Sequence, residues 1–164
     1  MALKVFGEEQ FILKDEQEFS KFLEELFSPT KKTGYESLDF QLLENPDSET
    51  DNILGLGVDY DSGYGAAIWY CSGNIAKKVQ EISGEEVANS VWVSWTATPP
   101  EVDPEIVRDP WSPTFFNRVS ALPLEQVRKI LESYFREGTG HRPTGVEWVK
   151  GHFTGELYEE NDET

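Results

Sequence analysis

The sequence is poor in the residues that metal and redox sites require. Its 164 residues include one cysteine, Cys71, and two histidines, His141 and His152. A single cysteine excludes an internal disulfide framework and any zinc site built from several cysteines. The histidines are not spaced like a helical metal-binding pair such as H-x-x-x-H. We therefore predict no metal site and no cofactor.

Positive charge is also scarce. The chain has 14 Lys and Arg residues against 31 Asp and Glu residues, which gives a formal net charge of −17. Because phosphate contacts need clustered cations, this balance argues against direct binding to nucleic acid or to an anionic membrane surface. It favours solubility and a fast encounter with a basic partner.

Long apolar runs are missing as well. No stretch approaches the ~20 apolar residues of a membrane helix, and charges interrupt the N-terminal run MALKVFGEEQFILKDEQ, unlike a signal-peptide core. We therefore expect a cytoplasmic protein. Aromatic residues, by contrast, make up 13% of the chain. That content allows the chain to fold, because disordered acidic chains are poor in aromatic residues.

Two segments have the apolar spacing of amphipathic helices. In residues 15–28, five apolar residues recur at helical spacing, Asp15 can cap the N-terminus and Pro29 ends the segment. In residues 123–137, Pro123 suits the first helical turn and glycines follow the last apolar residue. Both segments are predicted to be helices.

Between these helices the apolar residues alternate with a period of two, which predicts strands. The strands are expected at residues 35–43, 53–60, 64–71 and 90–97, with a short closing strand around Val146 and Trp148. The segment 74–82 fits either a strand or a loop. This order predicts an α+β fold in which an antiparallel sheet of about five to six strands carries two main helices on one face.

The chain length and the proline distribution predict one domain with one long loop. Five prolines fall within residues 99–119, where we expect an extended loop with no helix or strand through its middle. The domain is predicted to cover residues 1–155. Residues 156–164 are predicted to form an acidic, frayed tail.

Most catalytic patterns fail in detail. Asp59–Gly63 begins like a calcium loop, but Tyr70 stands where the bidentate acid belongs, so a hairpin turn is expected. Cys71 has no neighbouring histidine and is expected to be a buried structural thiol, and no serine lies in a nucleophile elbow. A hydrolase with a carboxylate pair is kept as the least favoured alternative, since 31 acids always offer a pair.

The acidic residues are unevenly distributed. The segment from Glu36 to Asp61 has eight acids and no Lys or Arg, and a second run in the proline-rich loop is followed by large aromatic residues. A solvated surface accounts for such runs as well, but acids mixed with aromatic anchors are typical of an interface with a cationic partner. The predicted partner-binding residues are Asp59, Asp61, Glu101, Asp103, Glu105, Asp109 and Trp111.

The segment 122–149 resembles the end of the first-numbered family of immunity proteins of bacterial polymorphic toxin systems. The shared pattern is a helix ending in an aromatic residue, a glycine-containing stop, Arg-Pro, an apolar residue and Trp. Here these positions are Phe135, Gly138 to Gly140, Arg142, Pro143, Val146 and Trp148. We interpret Gly138, Gly140, Arg142, Pro143, Val146 and Trp148 as mainly structural residues. The central segment ILGLGVDYDSGYGAAIWY is similar to the family's glycine-containing hairpin.

The resemblance implies a non-catalytic protein that binds and neutralises a cognate toxin. In such systems the toxin is often a nucleic-acid-modifying enzyme such as a deaminase or nuclease, so the partner is expected to have a basic groove that an acidic surface can block. The alternative is a small carbohydrate- or ligand-binding module that uses exposed Trp residues. The sequence leaves the oligomeric state open.

Overall fold

A computed structural model describes residues 1–30, 33–44 and 51–159. In these residues an eight-stranded antiparallel sheet has the strand order β10-β6-β5-β4-β3-β1-β2, with β9 paired to β5, and β7 and β8 form a separate ribbon. The strands are β1 (Ala2–Phe6), β2 (Gln10–Leu13), β3 (Tyr35–Leu43), β4 (Asn52–Asp59), β5 (Tyr64–Cys71), β6 (Val91–Trp95), β7 (Val107–Asp109), β8 (Thr114–Phe115), β9 (Leu122–Pro123) and β10 (Glu147–Gly151). The helices are α1 (Glu16–Leu26), α2 (Gly73–Ser83), α3 (Glu85–Ala88) and α4 (Leu124–Glu137).

The predicted α+β class is confirmed, although the sheet has more strands than the five to six expected. The additional strands are short and lack a clear alternating pattern: β2 spans four residues and β9 only two. Pro123 lies in β9, where it pairs with Tyr64 of β5. It occupies the N-cap position of α4 rather than the first turn of that helix. The two predicted helices are present as α1 and α4, and Asp15 caps α1 by accepting a hydrogen bond from the backbone N–H of Glu18 at 2.8 Å.

The segment 74–82, expected as strand or loop, is helical and belongs to α2. Its capping carboxylate, Asp51, lies just before β4, so no residue near the start of the helix signals where it begins. Ser72 at the N-cap makes no side-chain cap, whereas Oδ2 of Asp51 accepts a hydrogen bond from the N–H of Ile75 at 2.9 Å. Only Val79 of α2 is fully buried, although Ile75, Val79 and Ile82 recur at the spacing of one helical face.

The larger apolar core lies between the sheet and the helices. Phe19 and Leu23 of α1 and Leu131 and Phe135 of α4 pack in it, and the rings of Phe19 and Phe135 stack 4.0 Å apart. Cys71 is buried in the same core, as predicted. Sandwiching apolar side chains between one sheet face and the helices is the usual solution for an α+β domain.

The proline-rich loop covers the opposite face of the sheet. Ile106 and Phe116 are buried there in a second apolar cluster with Ile68 and Val93. The loop can approach because β4 carries glycine on this face: a methyl group at Gly57 would lie 2.6 Å from Cγ2 of Ile106 and 2.8 Å from the carbonyl oxygen of Val107. The expectation that no strand crosses the middle of residues 99–119 was wrong. The loop's prolines lie outside β7 and β8, which pair with each other rather than with the sheet.

The resemblance segment packs against the sheet through main-chain and ring contacts. Gly138 ends α4 with a left-handed φ of +66°, where glycine is favoured. The carbonyl of Gly140 accepts a hydrogen bond from Nε1 of Trp69 at 3.0 Å, and that of Pro143 accepts one from Nε1 of Trp148 at 2.9 Å. Contacts of this kind are what a structural role requires. That the residues of the resemblance pattern are mainly structural stays our interpretation.

The described chain continues past residue 155 along the sheet. Leu157 forms a bridge with Gly151, and the N–H of Tyr158 donates to the carbonyl of Lys150 at 2.9 Å. The domain boundary after residue 155 stays a prediction. Residues 160–164 of the predicted tail lie outside the described residues.

Candidate functional site: an acidic groove

A groove of about 840 Å³ lies where the proline-rich loop meets the ends of β1 and β3. We call it the acidic groove. Four carboxylates line it, together with one guanidinium and several aromatic rings. Its lining residues are Phe6, Gly7, Glu8, Gly34, Tyr35, Glu36, Ser37, Asp39, Arg108, Asp109, Pro110, Trp111 and Phe153.

Arg108 fixes the loop side of the acidic groove. Its Nη1 donates to Oδ1 of Asp39 on β3 at 2.7 Å, and its Nε donates to the carbonyl of Phe153 at 3.0 Å. Its own carbonyl accepts a hydrogen bond from Oγ of Ser37 at 2.6 Å. The Arg108 side chain is only 10% exposed. One residue therefore joins the loop, the central sheet and the C-terminal segment.

Glycine on β4 makes room for this ion pair. A methyl group at Gly55 would lie 2.8 Å from Oδ1 of Asp39 and 3.0 Å from Nη1 of Arg108. Because Cγ2 of Ile68 would also lie only 2.6 Å away, a side chain at position 55 would force its neighbours to move, Asp39 among them. The glycines of the central hairpin thus have a structural purpose that sequence alone did not show.

Asp109 and Trp111, both predicted as partner-binding residues, line the acidic groove. Oδ1 of Asp109 accepts a hydrogen bond from the N–H of Trp111 at 2.9 Å and lies 3.4 Å from the N–H of Ser112. This carboxylate holds the turn that presents the indole. Trp111 is 87% exposed, the highest value among the large apolar side chains that the structure describes. A large apolar ring held in water by a fixed turn is typical of an interface anchor.

The charge of the acidic groove remains negative after the internal ion pair is counted. Arg108 pairs with Asp39, while Glu8, Glu36 and Asp109 contribute three further carboxylates. Burial, followed by the charge of Glu36, raises the pKa of Tyr60, the residue after β4, to about 12. The site therefore combines negative potential with apolar rings.

Asp59 and Asp61 lie beside one end of the acidic groove rather than in it. Asp59 is paired in register with Tyr35, and Oδ2 of Asp61 lies 3.3 Å from the N–H of Gly34 as a hydrogen-bond acceptor. Both residues belong to the predicted hairpin turn, in which Gly63 has a φ of +78°. The turn thus extends the acidic surface next to Tyr35.

The structure does not bring Glu101, Asp103 and Glu105 into the groove lining. All three are exposed on the first part of the loop, and Oδ1 of Asp103 accepts a hydrogen bond from the N–H of Glu105 at 2.9 Å. Their part in partner binding stays a prediction.

Sequence reasoning missed several residues of the acidic groove. Glu36 and Asp39 lie in the first acidic run, and that run is the signal that could have selected them. Phe6 and Phe153 carry no such signal, because only the folded sheet and the C-terminal segment bring them together with the loop.

Within residues 1–30, 33–44 and 51–159, no group of three or more His, Cys, Asp or Glu side chains could hold a metal ion. In the same ranges no helix has the length and apolarity to cross a membrane.

Comparison with known proteins gives one family match. A family model described as Immunity protein Imm1 matches residues 7–150, which include β2–β9, all but the last residue of β10, all the helices and the whole of the proline-rich loop. Neither the curated proteins nor the solved structures include a match to this chain.

Proposed function

Because this chain belongs to the Imm1 family of immunity proteins, we propose that it neutralises its cognate toxin by covering the toxin's basic active-site groove with the acidic surface around Trp111. In this proposal the toxin is a nucleic-acid-acting enzyme such as a deaminase or nuclease. The protein itself performs no catalysis, works in the cytoplasm and binds no nucleic acid directly.

The observation that carries the proposal is the exposed Trp111 at the rim of a groove lined by four carboxylates. An enzyme that acts on nucleic acid needs clustered cations along its substrate path. A protein of net charge −17 is attracted to that path, and carboxylates at the contact favour one orientation of docking. An aromatic anchor then slows dissociation by burying apolar area.

A sugar- or ligand-binding module that uses several Trp residues receives less support. Trp69, Trp92 and Trp148 each donate their indole N–H to a main-chain carbonyl of this chain. Among the large apolar side chains described as exposed, Trp111 is the one tryptophan. One ring is enough for a protein interface anchor but gives a poor stacking platform for a sugar chain.

The proposal is tested by binding to the toxin domain encoded beside this gene. The first variant, Trp111→Ala, should raise Kd at least ~30-fold through faster dissociation, since truncating a central aromatic anchor costs about 2 kcal/mol or more. The second combines Glu36→Gln with Asp109→Asn, which keeps the oxygen acceptor of the turn. It should slow association at low salt and leave the dissociation rate less changed.

A double variant elsewhere provides the matched control. Glu81→Gln with Glu85→Gln removes the same two charges from exposed positions on α2 and α3, and its association should slow much less. Stopped-flow or surface-plasmon kinetics at several ionic strengths would measure both rates. Equal effects of the two double variants, or association that does not change with salt, would contradict docking through the acidic groove.

A further inference from the structure

A second groove lies on the helix face of the sheet, opposite the face that carries the acidic groove. It measures about 620 Å³ and runs between α2, α3 and the segment 139–148. We call it the Arg142 groove. Its lining residues are Val79, Ser83, Val87, Glu137, Thr139, His141, Arg142, Pro143, Thr144, Gly145, Val146 and Trp148.

Arg142 is the unusual member of this lining. Each of the other four arginines donates at least one hydrogen bond to a carboxylate or a carbonyl: Arg108, Arg118, Arg128 and Arg136. Arg142 makes no hydrogen bond with any residue in the described part of the chain. Its guanidinium carbon lies 4.5 Å from the centre of the Trp92 ring. The cation is therefore positioned by stacking while its N–H donors stay available in the groove.

The position of Arg142 is well defined and partly removed from water. Nε1 of Trp92 donates to the carbonyl of Val87 at 3.0 Å, which fixes the ring that supports the guanidinium. Burial lowers the pKa of Arg142 from its ordinary value. A guanidinium has five N–H donors in a rigid plane, and leaving them unpaired in a partly desolvated place costs free energy. An anion in the groove would remove that cost.

The walls of the Arg142 groove select among anions. Val79, Val87 and Val146 give it an apolar side, and hydroxyl groups of Thr139 and Thr144 add polar contacts. Its volume falls within the range of small-molecule sites, which are mostly apolar with a few placed polar groups. A planar carboxylate matches the guanidinium edge with two parallel hydrogen bonds.

From this geometry we propose that the Arg142 groove binds a small organic acid, with its carboxylate on Arg142 and its apolar body against the valines. The site is independent of the toxin-binding proposal, because it lies on the other face of the sheet. Glu137 at the rim opposes an anion, and the hydroxyl of Ser133 donates to its Oε1 at 2.9 Å.

Benzoate is the probe, and benzamide is its uncharged counterpart of nearly the same shape. In an NMR titration at constant ionic strength, benzoate should shift the Nε–H resonance of Arg142 and the indole N–H resonance of Trp92, while benzamide should shift neither. This readout uses the unaltered protein, so it does not depend on whether a variant folds.

Substitutions then test whether the positive charge of Arg142 binds the carboxylate of benzoate. Arg142→Gln should weaken benzoate binding at least tenfold, Arg142→Lys should weaken it less, and Glu137→Gln should strengthen it. The matched control is Lys129→Gln, which removes one positive charge from a side chain that is 71% exposed on α4 and should leave the affinity unchanged. Circular dichroism verifies that each variant is folded.

Three results would overturn the proposal. The first is no shift of the Arg142 resonance up to saturating benzoate, and the second is equal binding of benzamide. The third is binding of inorganic phosphate with the same affinity, which would mean a charge site without selection for a carboxylate. If the capped peptide N-acetyl-Phe-Glu-amide binds and benzoate does not, the occupant is a side chain of another protein and the small-acid assignment is wrong.

Discussion

Replacing Arg108 by methionine tests whether one side chain holds the proline-rich loop on the sheet. Methionine keeps most of the apolar stem and removes the guanidinium, so two hydrogen bonds are lost, to Asp39 at 2.7 Å and to the Phe153 carbonyl at 3.0 Å. Hydrogen bonds that involve a charged group contribute about 1.5–3 kcal/mol each. The Asp39 side chain is 30% exposed and regains some water, which places its share at the lower end.

The expected loss in free energy of unfolding is therefore about 3 kcal/mol. For a chain of this length that corresponds to a fall in Tm of roughly 6–12 °C. Urea unfolding followed by tryptophan fluorescence measures the change, and an unaltered m value would show that the folded state keeps its compactness. Adding Asp39→Asn completes a double-mutant cycle, and we expect the two substitutions to be non-additive because the groups are in contact.

Arg136→Met is the matched control. Arg136 forms ion pairs with Glu16 and Glu132, but its side chain is 48% exposed, so its loss should cost less than ~1 kcal/mol. A loss below ~1 kcal/mol for Arg108→Met, or equal losses for the two variants, would refute the role given to Arg108.

Two further predictions concern the central hairpin. Gly57→Ala should destabilise the fold by about 1–3 kcal/mol, because the new methyl group would overlap Ile106 and the Val107 carbonyl. Urea unfolding measures this loss of stability. No change in the free energy of unfolding would mean that the loop does not pack on β4. Burial, followed by the charge of Asp51, raises the pKa of the Cys71 thiol from 9.0 to about 11. Because unfolding then releases the proton, the free energy of unfolding should fall as pH rises from about 9 to 11, and less so in Cys71→Ala. Iodoacetamide at pH 9 should modify Cys71 only as fast as the protein unfolds, and rapid labelling of the folded protein would contradict its burial.

The sequence predicted the elements that carry their own local signals. The apolar stripe and the Asp15 cap identify α1, and β3 lies at residues 35–43 as the alternation predicted. The start of helix α2 carries no local capping signal, because its capping carboxylate, Asp51, lies just before β4 and 24 positions from Ile75. Signals that arise within a few residues can thus be read from the sequence, whereas those that depend on the fold cannot.

The candidate site was predictable only in part for the same reason. Acids next to a large aromatic residue identified Asp109 and Trp111, which do line the acidic groove. The opposite wall depends on the contact between Arg108 and Asp39, which are 69 positions apart in the chain. The sequence presented Arg108 as a lone cation among acids, whereas in the structure it is the residue that forms the groove.

The proline-rich loop separates its side chains by direction. Ile106, Arg108 and Phe116 face the sheet and are buried, whereas Trp111 and Phe115 face water. A substitution at an outward-facing position leaves the contacts between the loop and the sheet in place. Partner specificity can therefore change in evolution while the stability of the fold is kept. The same division makes the loop a natural graft site, in which outward residues can be exchanged between relatives while the anchoring residues are kept.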